Sequence, residues 1–247
     1  MSVPPRGVPR ADVLLRERTD GERRRPTLVW ECGPGWTMIS SGVVGGGLGE
    51  RRWWVNGQVD LEYYEPDPVA HLRRIAGDLG LEGPGVGLLT AADIRRRTTA
   101  DDEGIHVVAT VGLGLPVFAA ETSERIVAET RPPGPGTINI LVVVPVTLSD
   151  AALVNLVVTV TEAKTQALAE AGVPGTGTSS DAVCVACPAR GATSGDPHGD
   201  PHGEPYGGPR SLWGARAARA VHTAVAAGTA DWLVRCPEGD PVRRWRA

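Results

Sequence analysis

Thr137 stands where a breaker, Pro132-Pro133-Gly134-Pro135-Gly136, gives way to the apolar run Ile138 to Val144. A hydroxyl at the exposed start of a buried strand can serve as a nucleophile toward a carbonyl carbon. A strand-start threonine that satisfies a turn accounts for the same residue equally well. A second constellation is Cys184-x-x-Cys187 followed by His198-x-x-x-His202, which has metal-ligand spacing. In a strand, positions three apart face opposite sides, so both thiols cannot reach one ion without a bend. The histidine spacing also follows automatically from the near-repeats DPHG, DPHG and EPYG, so no metal is expected. Neither H-E-x-x-H nor G-x-S-x-G occurs, which removes the zinc-helix and nucleophile-elbow routes to hydrolysis.

Composition narrows the partners. The formal net charge of −4 leaves no basic field for nucleic acid. The longest apolar run, Ile138 to Val146, is too short to cross a bilayer, and the Arg-rich N-terminus has no apolar leader region. Four scattered cysteines do not make a disulfide framework, so reduced thiols and a cytoplasmic setting are expected. Nothing in the chain decides between monomer and homo-oligomer. Lys164 is the only lysine in an Arg-rich sequence, a distribution that a GC-rich genome also produces.

The elements that must position these residues are legible in part. Residues 1–26 are polar and Pro-broken and read as a flexible arm. Thr27 to Val44 reads as short strands around a Gly-Pro-Gly turn, followed by a glycine cluster and a strand-like Arg51 to Leu61. Pro68 to Leu79 reads as a helix entered through Pro66-Asp67-Pro68. Val86 to Thr90 and Ile105 to Leu113 read as buried strands, and Ile138 to Val144 as a central strand covered on both faces. Ser149 and Asp150 offer cap chemistry for a helix that runs to about Ala171 and stops at Gly172. On its wheel Lys164 sits in the apolar face with Leu153, Val157, Val160 and Leu168. Asn155, Thr159, Glu162 and Gln166 form a narrow polar stripe opposite. Ala182 to Cys187 is a further buried strand, residues 189–210 a mobile low-complexity loop, Ser211 to Ala227 an amphipathic helix, and 229–247 a tail. The sum is a single α/β (α+β) domain over residues 27–228, a layered sandwich of mixed sheet and helices.

Five blocks in order resemble the adenosylcobinamide amidohydrolase (CbiZ) family. They are Ile39 to Gly49 (ISSGVVGGGLG), Gly85 to Ile94 (GVGLLTAADI), Val107 to Gly114 (VVATVGLG), the long stretch from Gly136 to Pro188, and Tyr206 to Pro209 leading into LWGARAARAV. Ser179-Ser180 and the enlarged DPHG loop depart from the family pattern. The resemblance implies hydrolysis of the amide that joins aminopropanol to the corrin side chain, giving adenosylcobyric acid for cobalamin salvage. The corrinoid is then a small-molecule substrate, and no cofactor is implied. It also implies substrate contacts at Ser40, Ser41, Thr90, Asp93, Asn139, Asn155, Glu162 and Lys164. For Asp93 helix capping, for Glu162 and Asn155 a solvated face, and for Lys164 a stem laid on apolar neighbours are the plainer explanations.

A more distant likeness is to the self-cleaving aminopeptidase and ornithine acetyltransferase group. It implies that Gly136-Thr137 is a processing site, with the freed α-amine as base for Thr137. On it Ser179 and Asp181 orient or relay protons, and Gly45, Gly46 and Gly47 offer backbone N–H groups to an oxyanion. Three other readings stay open: an amidase or peptidase with another substrate, a corrinoid-binding protein without chemistry, and a zinc-binding protein.

Overall fold

The computed structural model describes residues 11–122, 136–191 and 204–245. Ten strands are present among them: β1 (Leu14–Asp20), β2 (Arg23–Ser40), β3 (Gly47–Gln58), β4 (Val86–Thr90), β5 (Thr98–Asp102), β6 (Ile105–Leu113), β7 (Pro116–Val117), β8 (Gly136–Val143), β9 (Gly177–Thr178) and β10 (Ala182–Pro188). The helices are α1 (Pro68–Asp78), α2 (Asp150–Glu170) and α3 (Leu212–Arg235), with a 3-10 turn at Ile94–Arg96. No described helix is long and apolar enough to cross a membrane.

Eight strands form one mixed sheet in the order β4-β3-β2-β10-β8-β6-β5, and β1 pairs with β2 off that path. β8 lies between β10, to which it is parallel, and β6, to which it is antiparallel. The residues of β8 alternate between two cores, as a strand covered on both faces must. Ile138, Ile140 and Val142 face a core built with α2 and α3. Leu141 and Val143 face a second core with Trp30, Met38, Trp54 and Leu88. The sheet curls so that β3 and β4 come to face β6 and β8. Asn56 on β3 donates to Thr110 Oγ1 on β6 at 3.1 Å, and Asn139 on β8 donates to the Leu89 carbonyl on β4 at 2.9 Å. Helix α1 packs outside the curl, setting Leu72, Ile75 and Ala76 on Val29, Trp53 and Val55.

The helix starts follow from their caps. Asp67 accepts from the Ala70 N–H at 2.8 Å, Ser149 from Ala152 at 3.1 Å and Ser211 from Gly214 at 3.1 Å. Gly172, at φ +71°, supplies the left-handed residue that ends α2.

Five expectations are corrected. Residues 11–26 are not an arm: Leu14 to Asp20 pairs in register with Arg23 to Val29 as a charged hairpin. The Gly-Pro-Gly segment is not a turn between strands but a bulge inside the single 18-residue strand β2, where its pairing with β3 shifts between Glu31 and Trp36. The C-terminal segment is not a tail: α3 continues to Arg235, and Trp245 stacks on Trp232 at 6.2 Å. Of the low-complexity loop, 192–203 lie outside the described residues, but its flanks are fixed. Ala189 is buried, and Glu204 exchanges backbone hydrogen bonds with Thr147 and Ser149. On α2, Thr159 leaves the expected polar stripe; it is buried and donates to the Gly207 carbonyl at 2.9 Å.

Candidate active site

At the end of the curl where β8 begins, the inner core opens into a cleft of about 430 Å³. Strand alternation decides what it holds. Thr137 and Asn139 precede Leu141 and Val143 on the inward face of β8, so both line the cleft. Ser41, Gly42 and Val43 enter from the end of β2, Thr90 from the end of β4, Ser180 and Asp181 from the turn before β10, and Asp60 and Tyr63 from the loop before α1.

Thr137 is nearly buried, and its Oγ1 lies 2.7 Å from Ser180 Oγ. Ser180 Oγ also donates to the Gly136 carbonyl at 3.3 Å, which leaves the Thr137 hydroxyl to donate to Ser180. The partner is therefore Ser180. Ser179, the expected one, is exposed and lies outside the cleft lining.

Asp181 is a fastening rather than a free base. Its Oδ1 accepts from the Ile138 N–H at 2.9 Å and from Thr178 Oγ1 at 2.5 Å. Its Oδ2 accepts from the Thr178 N–H at 3.1 Å and from Lys164 Nζ at 2.5 Å. Four donors fill the carboxylate, so it has little capacity left for a substrate proton. What it does is tie the start of β8, the 177–181 turn and α2 together directly behind Thr137. The sole lysine of the chain is spent here: Lys164 is buried and its ammonium is committed to Asp181 instead of to substrate. Gly177 makes that approach possible, because any side chain there would overlap the Asp181 carboxylate and Lys164 Nζ.

The remaining expected residues divide. Thr90 lines the cleft, with Oγ1 accepting from the Ala92 N–H at 3.0 Å. Asn139 lies beneath it, donating to Asn56 Oδ1 and to Leu89. Ser40 and Ser41 clamp β2 to β10: Ser40 Oγ donates to the Val183 carbonyl and Ser41 Oγ accepts from the Val183 N–H. Ser41 also reaches the cleft. Gly45, Gly46 and Gly47 are not among its lining; Gly45 lines a separate hollow with Arg51 and Trp53, and the cleft glycines are Gly42 and Gly136. Asp93 caps the 3-10 turn through the Arg95 N–H. Asn155 and Glu162 are exposed on α2 and lie outside the cleft lining. Cys184 and Cys187 do face opposite ways, Cys184 into the inner core and Cys187 into the helix-side core. His198 and His202 lie outside the described residues.

Sequence reasoning missed one wall of the cleft. Tyr63 Oη lies 2.8 Å from His71 Nδ1, and His71 Nε2 lies 3.0 Å from Asp20 Oδ2. The buried Arg18 holds that same carboxylate oxygen at 2.9 Å while bonding Thr27 Oγ1 and the Gln58 carbonyl. Burial lowers the Arg18 pKa and its ion pair with Asp20 opposes the shift. Burial foremost, then the carboxylates of Glu65 and Asp20, push the Tyr63 phenol up to about 12. The row joins a strand in the presumed arm to a helix 50 residues on, and no local pattern announces it.

Comparisons with known proteins supply the family. A family model described as adenosylcobinamide amidohydrolase matches residues 11–237. The chain belongs to that family. One relative, named adenosylcobinamide amidohydrolase, from Methanosarcina mazei, is 33% identical over 149 residues, covering 60% of this chain and 68% of the relative. Another of the same name, from Halobacterium salinarum, is 40% identical over 92 residues, which span 36% of this chain and 39% of the relative. The family match begins at residue 11, so it includes the hairpin that carries Arg18 and Asp20.

Proposed function

We propose that this family member hydrolyses the amide between aminopropanol and the corrin side chain of adenosylcobinamide, with Thr137 as nucleophile. The observation that carries the assignment of Thr137 is its placement. Its hydroxyl opens the central strand, faces the cleft and is held by Ser180. The corrin ring system is larger than the cleft, so the amide arm enters and the macrocycle rests at the mouth. Val43 and Leu61, both lining the cleft and both exposed, offer apolar surface there. The corrinoid is substrate rather than a resident group.

Attack by Thr137 Oγ1 on the side-chain carbonyl gives a tetrahedral intermediate, then an ester with release of aminopropanol; water returns the acid. Asp181 contributes by fixing the backbone of Ile138, and hence the direction of Thr137. The test is incubation of purified protein with adenosylcobinamide, reading aminopropanol and adenosylcobyric acid. Wild type releases both and Thr137→Ala releases neither while melting as wild type does. Equal turnover by that variant rejects the nucleophile, and no release by wild type rejects the substrate.

One observation favours self-processing before Thr137 as a second reading. Ser180 Oγ touches both the Thr137 hydroxyl and the Gly136 carbonyl, the two groups that would react in chain cleavage. Intact-mass measurement decides it: two fragments divided at Gly136-Thr137 support cleavage, a single mass excludes it.

A further inference from the structure

Amide hydrolysis stalls unless the departing nitrogen is protonated, because an amide anion is a far poorer leaving group than an amine. Three described residues lining the cleft titrate: Asp60, Tyr63 and Asp181. Asp181 is filled by four donors. Asp60 is paired with Arg23 at 3.0 Å and with Arg25, so each of its oxygens is already engaged by a guanidinium. Tyr63 differs from both, because its partner is an imidazole backed by a carboxylate.

We infer that Tyr63 is the catalytic acid that protonates the leaving amine, with His71, Asp20 and Arg18 as positioning residues behind it. The inference rests on the amide-hydrolase reading of the same cleft. The network fixes the hydrogens. Asp20 Oδ2 accepts from Arg18 and takes the same role toward His71, which assigns the ring proton to Nε2; Nδ1 then accepts from Tyr63. His71 is buried and its ring stacks on that of Tyr63 with centroids 5.6 Å apart, so neither ring turns freely. The charged groups bearing on the phenol are Glu65, Asp20, Arg74 and Arg18. Burial and the two carboxylates keep the phenol protonated at neutral pH, the state a donor needs.

The protons balance as follows. As Thr137 Oγ1 bonds to the carbonyl carbon, its proton leaves to cleft solvent, a step that amide and ester share and that does not use Tyr63. When the intermediate collapses, the carbon–nitrogen bond breaks and its electron pair stays on nitrogen. The nitrogen takes the phenolic proton, and the phenolic oxygen takes one back from cleft solvent. Aminopropanol leaves neutral, Thr137 is left as an ester, and the row is restored.

The experiment compares two leaving groups on one acid: adenosylcobinamide, and the p-nitrophenyl ester of adenosylcobyric acid at the same side chain. The ester's leaving group departs as a stable anion and needs no proton. Tyr63→Phe keeps the ring and loses the donor. It is expected to lower kcat on the amide by about 10²–10⁴-fold and to leave the ester within a few-fold of wild type. His71→Gln is expected to show the same selective loss. In wild type, deuterium oxide is expected to slow the amide more than the ester, a readout independent of whether a variant folds. A fall of the same size on both substrates, or none on either, together with equal isotope effects, overturns Tyr63 as the acid. If wild type cleaves the ester but never adenosylcobinamide, the functional reading falls instead.

Discussion

Replacing Lys164 by Met removes one half of an ion pair that solvent barely reaches. The side chains of Lys164 and Asp181 are 9% and 12% exposed, and Nζ lies 2.5 Å from Oδ2. The methionine keeps the stem and its contacts but leaves a buried carboxylate without its cation. Breaking such a pair from one side typically costs about 3–5 kcal/mol. Here three donors remain on Asp181, the Ile138 and Thr178 N–H groups and the Thr178 hydroxyl. They share the uncompensated charge, so the lower end of that range, about 3 kcal/mol, is expected. For a domain of this size that is a fall in Tm of roughly 6–12 °C. Chemical denaturation and thermal melting measure it. The double variant Lys164→Met with Asp181→Asn carries no lone buried charge and is expected to recover at least about 1.5 kcal/mol relative to the sum of the singles. A single-variant effect below about 0.5 kcal/mol, or strict additivity in the cycle, refutes the view that this pair fastens the site.

Thr137→Ala is expected to lose at least about 10³-fold in turnover with an unchanged melt, because the nucleophile is not replaceable by water alone; steady-state assay of aminopropanol release checks it. Ser180→Ala removes one hydrogen bond to the nucleophile and is expected to cost about 3–10-fold in kcat, whereas Ser179→Ala leaves it unchanged. Gly177→Ala forces Asp181 and Lys164 apart and is expected to destabilise by about 1–3 kcal/mol, read by the same denaturation curves. Burial raises the Cys187 thiol to about 11 and Cys32 to about 12, and raises Cys184 and Cys236 as well. Native protein should therefore resist a thiol reagent at pH 8, and four thiols should react after denaturation. With folded values above the unfolded one, these thiols support the fold below about pH 9, and that contribution is lost as pH rises through the folded values. Rapid modification of the native protein contradicts the burial, and stability that does not fall above pH 9 contradicts the linkage.

What the sequence could show depended on how local the signal was. The bounds of α2 were readable because a serine cap and a glycine stop act within one turn of the helix. The inward face of β8 was not separable from its outward face, because a strand buried on both sides shows no alternation of polarity after Asn139. The β1 hairpin was misread because its residues are mostly charged, and charge density resembles that of a solvated segment. The helix expected to end at Ala227 runs on through Gly228. There it presses against Val111, where a side chain would collide, so the glycine serves close helix-to-sheet contact instead. The Thr137–Ser180 contact required knowing which of two adjacent serines the turn points inward, and the pairing of Lys164 with Asp181 required the turn at Gly177. Both are products of tertiary closure.

The short first hairpin has a practical consequence for anyone shortening this protein. A chain begun at Thr27 would strip the partner from one margin of β2, up to Val29, and leave its main-chain amides and carbonyls unmatched. Such a margin is an invitation to a neighbouring molecule, and the trimmed protein should form dimers or precipitate. It would also arrive without Arg18 and Asp20, so an inactive preparation of that kind would report on the trimming and not on the enzyme.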